Sequence, residues 1–196
     1  MTLSLREKRR AVFLDRDGVL NEALVRNGLP FSPTQPAEVA VIMGVAEECR
    51  KLRQLGFLLV VVTNQPDVAR GRQTHGGIAS IHAILRAQVP VDAIYVCAHD
   101  DVDDCLCRKP KPGMLLRAAE DLHIDLHRSV MVGDRWSDVE AGHRAGCQTI
   151  FVNYDYDEKS PEAPDQIVTN SVDALNAIVT GSFGQFCTTT RGNHDS

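Results

Sequence analysis

No stretch of this chain is apolar for long enough to cross a bilayer. The longest such run, Phe57 to Val62, falls far short of the ~20 residues a membrane helix needs. A long basic run is missing too. The net charge of -5 is dispersed over both signs, which argues against nucleic acid or an anionic membrane as the main partner. Arg6, Lys8, Arg9 and Arg10 precede no apolar core of the kind a secretory signal carries, so the expected location is cytoplasmic. There is no internal repeat. Nor do the six cysteines spread like the disulfide framework of a small secreted domain. Cys49, Cys147 and Cys187 are scattered, whereas Cys97, Cys105 and Cys107 crowd together with His99. In a reducing compartment that crowding points to a metal.

What is present suffices for one domain. The 196 residues, 43% apolar and 24% charged, can bury a full core, and residues 1–180 are expected to form it. Short β-branched runs alternate with amphipathic stretches. Strands are expected over 11–14, 57–62, 93–97, 129–132 and 149–152, and helices over 45–55, 74–87, 112–122 and 137–145. Residues 57–62 are almost continuously apolar, as a strand buried on both faces should be. This alternation predicts an α/β fold with a doubly wound, mostly parallel sheet. Residues 23–43, broken by Pro30, Pro33 and Pro36, lack a period and are expected to be a mobile loop beside the site. Residues 181–196 are polar and are expected to be a disordered tail.

In an open α/β sheet, ligands bind beyond the carboxyl ends of the strands. Polar signals follow three of the expected strands: Asp15 and Asp17 the first, Thr63 and Asn64 the second, Asp134 the fourth, with Lys109 before a helix between them. Singly, each is weak: an Asp pair after a strand is often a turn, and Gly-Asp before a helix is often a cap. As an ordered set they match what phosphate-ester cleavage requires. A carboxylate nucleophile needs a cation to offset the phosphate charge, and the oxygens of Asp15 and Asp134 suit Mg²⁺. Attack by Asp15 would form an aspartyl-phosphate, with Asp17 as acid and then base. Thr63 and Lys109 would hold the equatorial oxygens.

These segments, Phe13-Leu14-Asp15-Arg16-Asp17-Gly18, Val61-Val62-Thr63-Asn64, Arg108-Lys109-Pro110 and Val132-Gly133-Asp134 through Asp138, resemble the haloacid dehalogenase superfamily of phosphohydrolases. The resemblance spans residues 11 to about 153. It implies a Rossmann-like fold, Asp15 as nucleophile, Asp17 as acid/base, and Mg²⁺ on Asp15, Asp134 and the Asp17 backbone carbonyl. Members that cleave carbon–halogen bonds lack the second carboxylate and ion pumps carry Thr there, so Asp17 implies phosphatase chemistry. Asp138 reads two ways, as a group orienting Lys109 or a metal-bound water, or as a helix N-terminal acid.

Cys97, His99, Cys105 and Cys107 make a complete tetrahedral set for Zn²⁺, with no open position, so that metal is expected to be structural. Cys107 adjoins Arg108 and Lys109, so a zinc clamp would fix the loop delivering both cations, and Arg108 could grip a substrate anion with its planar fork. The loop narrows the resemblance to the capless, zinc-loop branch containing heptose-1,7-bisphosphate 7-phosphatases and histidinol-phosphate phosphatases. Pro112-Gly113-Met114-Leu115, Ala69-Arg70-Gly71 and Gly18-Val19-Leu20-Asn21 look more like the heptose enzymes. Departures are Pro66-Asp67 where those enzymes usually carry Ser-Gly, Ala98 for a usual Pro, and the segment from Glu22 to Pro36. By resemblance, Asn64, Arg108 and Arg135 would contact substrate, with Gln65 and Arg70 weaker candidates. His75, His82, His123, His127, His143 and His194 are read as surface or packing residues.

The expected activity is therefore a phosphomonoesterase acting on a small phosphosugar, a heptose bisphosphate first and histidinol phosphate second, in a monomer. A phospho-acceptor signalling domain fits less well, because its phosphorylated Asp follows a middle strand with no acid two residues on. A zinc-stapled binding module with a dead site is disfavoured because every catalytic position is filled.

Overall fold

The computed structural model describes residues 7–183. Arg6, Cys187, His194 and the expected tail beyond Phe183 lie outside the described residues. Strands β1 (Ala11–Leu14), β4 (Leu58–Asn64), β5 (Ala93–Cys97), β6 (Val130–Gly133), β7 (Gln148–Val152) and β8 (Gln166–Val168) form a six-stranded sheet ordered β5-β4-β1-β6-β7-β8. Every pairing in it is parallel, with Phe13 opposite Val60 on one side and Met131 on the other.

A strand's period of two sorts its side chains between the faces. Val12, Leu14, Leu59 and Val61 pack into one core with Cys49 and Leu52 of α1 (Val45–Gln54), Leu85 of α2 (His75–Gln88) and Leu175 of α5 (Ser171–Thr180). Ala11, Phe13, Val60 and Val62 pack on the other face with Met114 and Leu115 of α3 (Gly113–Leu122) and Ala141 of α4 (Trp136–Ala145). The expected doubly wound α/β fold is therefore the fold observed. No helix among the described residues is long and apolar enough to cross a membrane.

Three elements were not anticipated. The segment at 23–43 contains a hairpin of β2 (Leu24–Arg26) and β3 (Leu29–Phe31), turning through Asn27 and Gly28 at φ 51° and 75°. Asn-Gly is a strong hairpin signal, but these strands are too short for alternation to register. β8 is three residues long and leaves no period either. α5 carries good punctuation: Asn170 accepts the Asp173 N–H at 2.8 Å and Gly181 closes the helix at φ 68°. Its buried set of Ser171, Ala174, Leu175, Ala177 and Ile178 is small-residue-rich, and so makes a faint stripe. Phe183, just past the helix, is buried in the same core.

Fully buried, Leu175 anchors α5 on that core. Leu175→Ala is expected to cost about 2–5 kcal/mol in urea unfolding, as a large-to-small change in a packed core. A loss below about 1 kcal/mol would show that α5 is not docked.

Candidate active site

β1 and β6 are neighbours in the sheet, and the chain leaves β1 toward β4 on one side and returns at β6 on the other. That reversal opens a crevice at their carboxyl ends, where the topology favours a ligand. Asp15 follows β1 and Asp134 follows β6, and both are buried. The buried Lys109, which precedes a cis Lys109–Pro110 bond, joins them. Its Nζ lies 2.8 Å from Asp15 Oδ1 and 2.6 Å from Asp138 Oδ1, and donates to the Val62 carbonyl at 2.8 Å. Asn64 fixes the same residue by its backbone, donating to the Lys109 carbonyl at 3.0 Å and accepting its N–H at 3.1 Å.

Carboxylate oxygens of Asp15, Asp134 and Asp138 lie within 4.8 Å of one another. Burial is the main force on this trio. It raises Asp15 to about 6, with Lys109 opposing and Asp138 and Asp17 adding to the rise. Burial, then Asp15 and Asp138, push Asp134 well above the usual carboxylate range. Lys109 goes up despite its burial, because Asp138 and Asp15 favour its charge. One ammonium cannot balance three carboxylates. Both oxygens of Asp134 are buried with no well-formed hydrogen bond, although the Tyr156 hydroxyl leans toward that carboxylate. Hard oxygen donors in excess of the local positive charge fit a divalent cation such as Mg²⁺. Backbone shape permits the approach: a Cβ on Gly18, at φ 83°, would lie 1.9 Å from Asp134 Oδ2. On Gly133 it would lie 2.1 Å from the Asp138 Cβ.

Asp17 is held differently. Arg16, fully buried, grips it bidentately at 3.0 and 2.8 Å, Asn21 donates to it at 2.9 Å, Ser32 at 2.7 Å and Gln65 at 3.1 Å. Burial alone would raise its pKa, but the Arg16 charge and these donors outweigh it and hold the carboxyl below its usual value. Arg16 Nη1 sits 3.2 Å from His82 Nε2, and burial followed by the Arg16 charge lowers His82 to about 4. The imidazole is therefore neutral at pH 7 and can accept the guanidinium N–H. Thr63 is buried and does not line the adjacent cavity; its Oγ1 accepts from Gln65 at 2.9 Å.

Above these groups is a cavity of about 410 Å³ whose walls include Asp15, Asp17, Lys109 and Asp134. Four arginines line it and each meets an acid: Arg70 with Asp100 at 2.6 Å, Arg72 with Asp67 at 3.8 Å, Arg108 with Asp101 at 2.6 Å, and Arg135 with Glu158, whose Oε2 accepts from Nε at 2.9 Å. The hairpin contributes Leu29, Pro30, Phe31 and Ser32 to the wall. Sequence reasoning named the acids, Lys109, Arg108 and Arg135, but not Arg16, Asn21, Ser32, Tyr156 or Glu158. Arg16 and Asn21 flank the Asp motif and could have been suspected. Tyr156 and Glu158 lie in a loop with no motif.

At the other side of Lys109, the thiols of Cys97, Cys105 and Cys107 lie 3.3 to 3.6 Å apart and His99 Nδ1 is 3.3 Å from Cys107 Sγ. A zinc tetrahedron with Zn–S bonds of ~2.3 Å has edges near 3.8 Å, so the cluster needs only a slight expansion to fit. Cys105 is lowered to about 7: burial opposes, but bonds from Cys107 and the Arg108 N–H favour its thiolate.

Residues 106–175 match the family described as HAD-hydrolase-like. Over 183 residues the chain is 36% identical to D-glycero-beta-D-manno-heptose-1,7-bisphosphate 7-phosphatase of Escherichia coli K12, covering 86% of this chain and 93% of that protein. The Vibrio cholerae protein of the same name is 40% identical over 151 residues, covering 71% of this chain and 78% of its own. Among solved structures, D,D-heptose 1,7-bisphosphate phosphatase of B. bronchiseptica, complexed with magnesium and phosphate, superposes with a TM-score of 0.75 at 28% identity. That match covers 88% of this chain and 99% of the other.

Replacing Arg16 by Met would strand the buried Asp17 carboxylate without its counter-charge. Arg16→Met is expected to destabilise the fold by about 3–5 kcal/mol in denaturant unfolding, as breaking a buried pair does. A change within about 0.5 kcal/mol, the surface norm, would contradict the buried pairing.

Proposed function

The chain belongs to the haloacid dehalogenase-like hydrolases, in the branch of the heptose bisphosphate phosphatases, and from that premise we propose that it removes the 7-phosphate of D-glycero-D-manno-heptose 1,7-bisphosphate. That it is a phosphoric monoester hydrolase follows from the family. The single observation carrying the mechanism is the Asp15–Lys109–Asp138 chain beside Asp134 at the end of parallel strands.

Asp15 is the nucleophile in this reading. Its oxygen bonds to phosphorus as the ester P–O bond breaks, and the departing sugar oxygen takes a proton from Asp17. Asp17 then deprotonates a water that attacks phosphorus, freeing Asp15 and releasing phosphate. Arg16 keeps Asp17 ionised, which suits the second step; the first requires substrate to loosen its ring of donors and let it carry a proton. Lys109 offsets the charge of the equatorial oxygens, the Thr63 hydroxyl donates a hydrogen bond to them, and Asp138 aims Lys109. Mg²⁺, held by Asp15, Asp134 and the Asp17 backbone carbonyl, would supply the charge that lets a carboxylate approach a phosphate. Asn64 works through the Lys109 backbone, while Gln65 ties Thr63 to Asp17.

Arg108 and Arg135 face the part of the substrate remote from the reacting phosphate. Arg108, whose partner Asp101 is solvent-exposed, can take a second anion, which supports the bisphosphate reading over histidinol phosphate. Cys97, His99, Cys105 and Cys107 would hold a structural Zn²⁺, which would fix the segment leading into Arg108 and Lys109.

A phosphosugar panel assayed with Mg²⁺ should show heptose 1,7-bisphosphate favoured over histidinol phosphate. Asp15→Asn should abolish turnover, a loss of at least about 10³-fold, since the nucleophile is removed. Retained activity in Asp15→Asn would refute the assigned nucleophile, and inactivity on both substrates would sink the substrate reading. For the second metal, elemental analysis should find one zinc per chain, lost in Cys105→Ser along with most activity. A Cys105→Ser protein that keeps full zinc and full turnover would remove the structural role.

A further inference from the structure

The arginines around the cavity are not equally available. Arg108 meets Asp101 through both Nε and Nη2, but that acid's side chain is 75% exposed, so water screens it. Arg135, its own side chain 40% exposed, also pairs through Nε and Nη2, but with Glu158, whose side chain is only 15% exposed; the two arginines differ in how well water screens the partner. The two side chains form an ion pair that is close to electrically neutral. Both partners line the cavity, and Arg135 directly follows Asp134.

We propose that Glu158 is a specificity-determining residue: it neutralises Arg135, so that a remote substrate anion is steered to Arg108 while the Arg135 side favours hydroxyl groups. This rests on the phosphosugar reading above. A carboxylate beside a guanidinium offers acceptors and donors together, a set that matches sugar hydroxyls. A phosphate brought to Arg135 would instead have to displace Glu158 and leave that carboxylate, largely buried, without its counter-charge. Glu158 comes from the loop between β7 and β8, well away in sequence from every motif of the reaction. Substrate choice can therefore change at this position without touching Asp15, Asp17 or Lys109.

Binding is measured by calorimetry with Mg²⁺ on the Asp15→Asn background, which removes turnover, using heptose 7-phosphate and heptose 1,7-bisphosphate as probes. Glu158→Gln keeps the shape and removes the charge. It is expected to tighten the bisphosphate at least threefold more than the monophosphate, and adding Arg135→Ala should cancel that difference. Equal changes for both ligands, or a difference that survives Arg135→Ala, would overturn the proposal. Binding of neither ligand before Glu158 is altered would instead refute the substrate reading, and the proposal with it. Binding of both with no selective change in Glu158→Gln would refute the proposal alone.

Discussion

The charge balance around Lys109 is the constraint on which the site depends. Its ammonium is buried between Asp15 and Asp138, with Asp134 nearby, so one positive charge sits among three carboxylates. Such an arrangement is unfavourable in a low-dielectric interior unless more positive charge arrives. That imbalance suits a divalent cation. Much of the nearby architecture serves to hold it together: Asn64 locks the Lys109 backbone, Val62 caps the ammonium, and Gly18 and Gly133 leave room for the carboxylates.

Asp15 and Asp17 are two residues apart and face opposite environments. Asp15 is buried among like charges and pushed up, whereas Asp17 is held down by Arg16 and neutral donors. Two carboxylates with displaced acidities can take different roles in one reaction. The buried Arg16, backed by a neutral His82, creates that difference from a position between the two acids. The metal loop on the far side of Lys109 acts at the level of geometry, since Asp100 and Asp101, between His99 and Cys105, also hold Arg70 and Arg108. Catalytic charge and rim charge are thus supported by different parts of the chain.

Local patterns determined much of this in advance. The alternation of apolar runs announced a parallel α/β sheet, because strands buried on both faces have a continuous apolar signature and helices between them a stripe. Asp15, Asp17, Thr63, Lys109 and Asp134 were legible because each lies at a strand end or helix start in a fixed order. The clustering of Cys97, His99, Cys105 and Cys107 was legible because they lie close together in the chain. The hairpin at 24–31, β8 and α5 were not, being short or poor in large apolar residues, so no period rose above the background.

Only the tertiary structure decided who pairs with whom. Arg16 with His82, Arg135 with Glu158, and Tyr156 beside Asp134 join residues whose spacing in the chain carries no signal. Asp138 was ambiguous in the sequence, and folding put it both on Lys109 and at the start of α4. The physical reason is range. Secondary structure and strand-end motifs arise from neighbours within a few residues, whereas acidity and ion pairing depend on burial and on charges brought close by the whole fold.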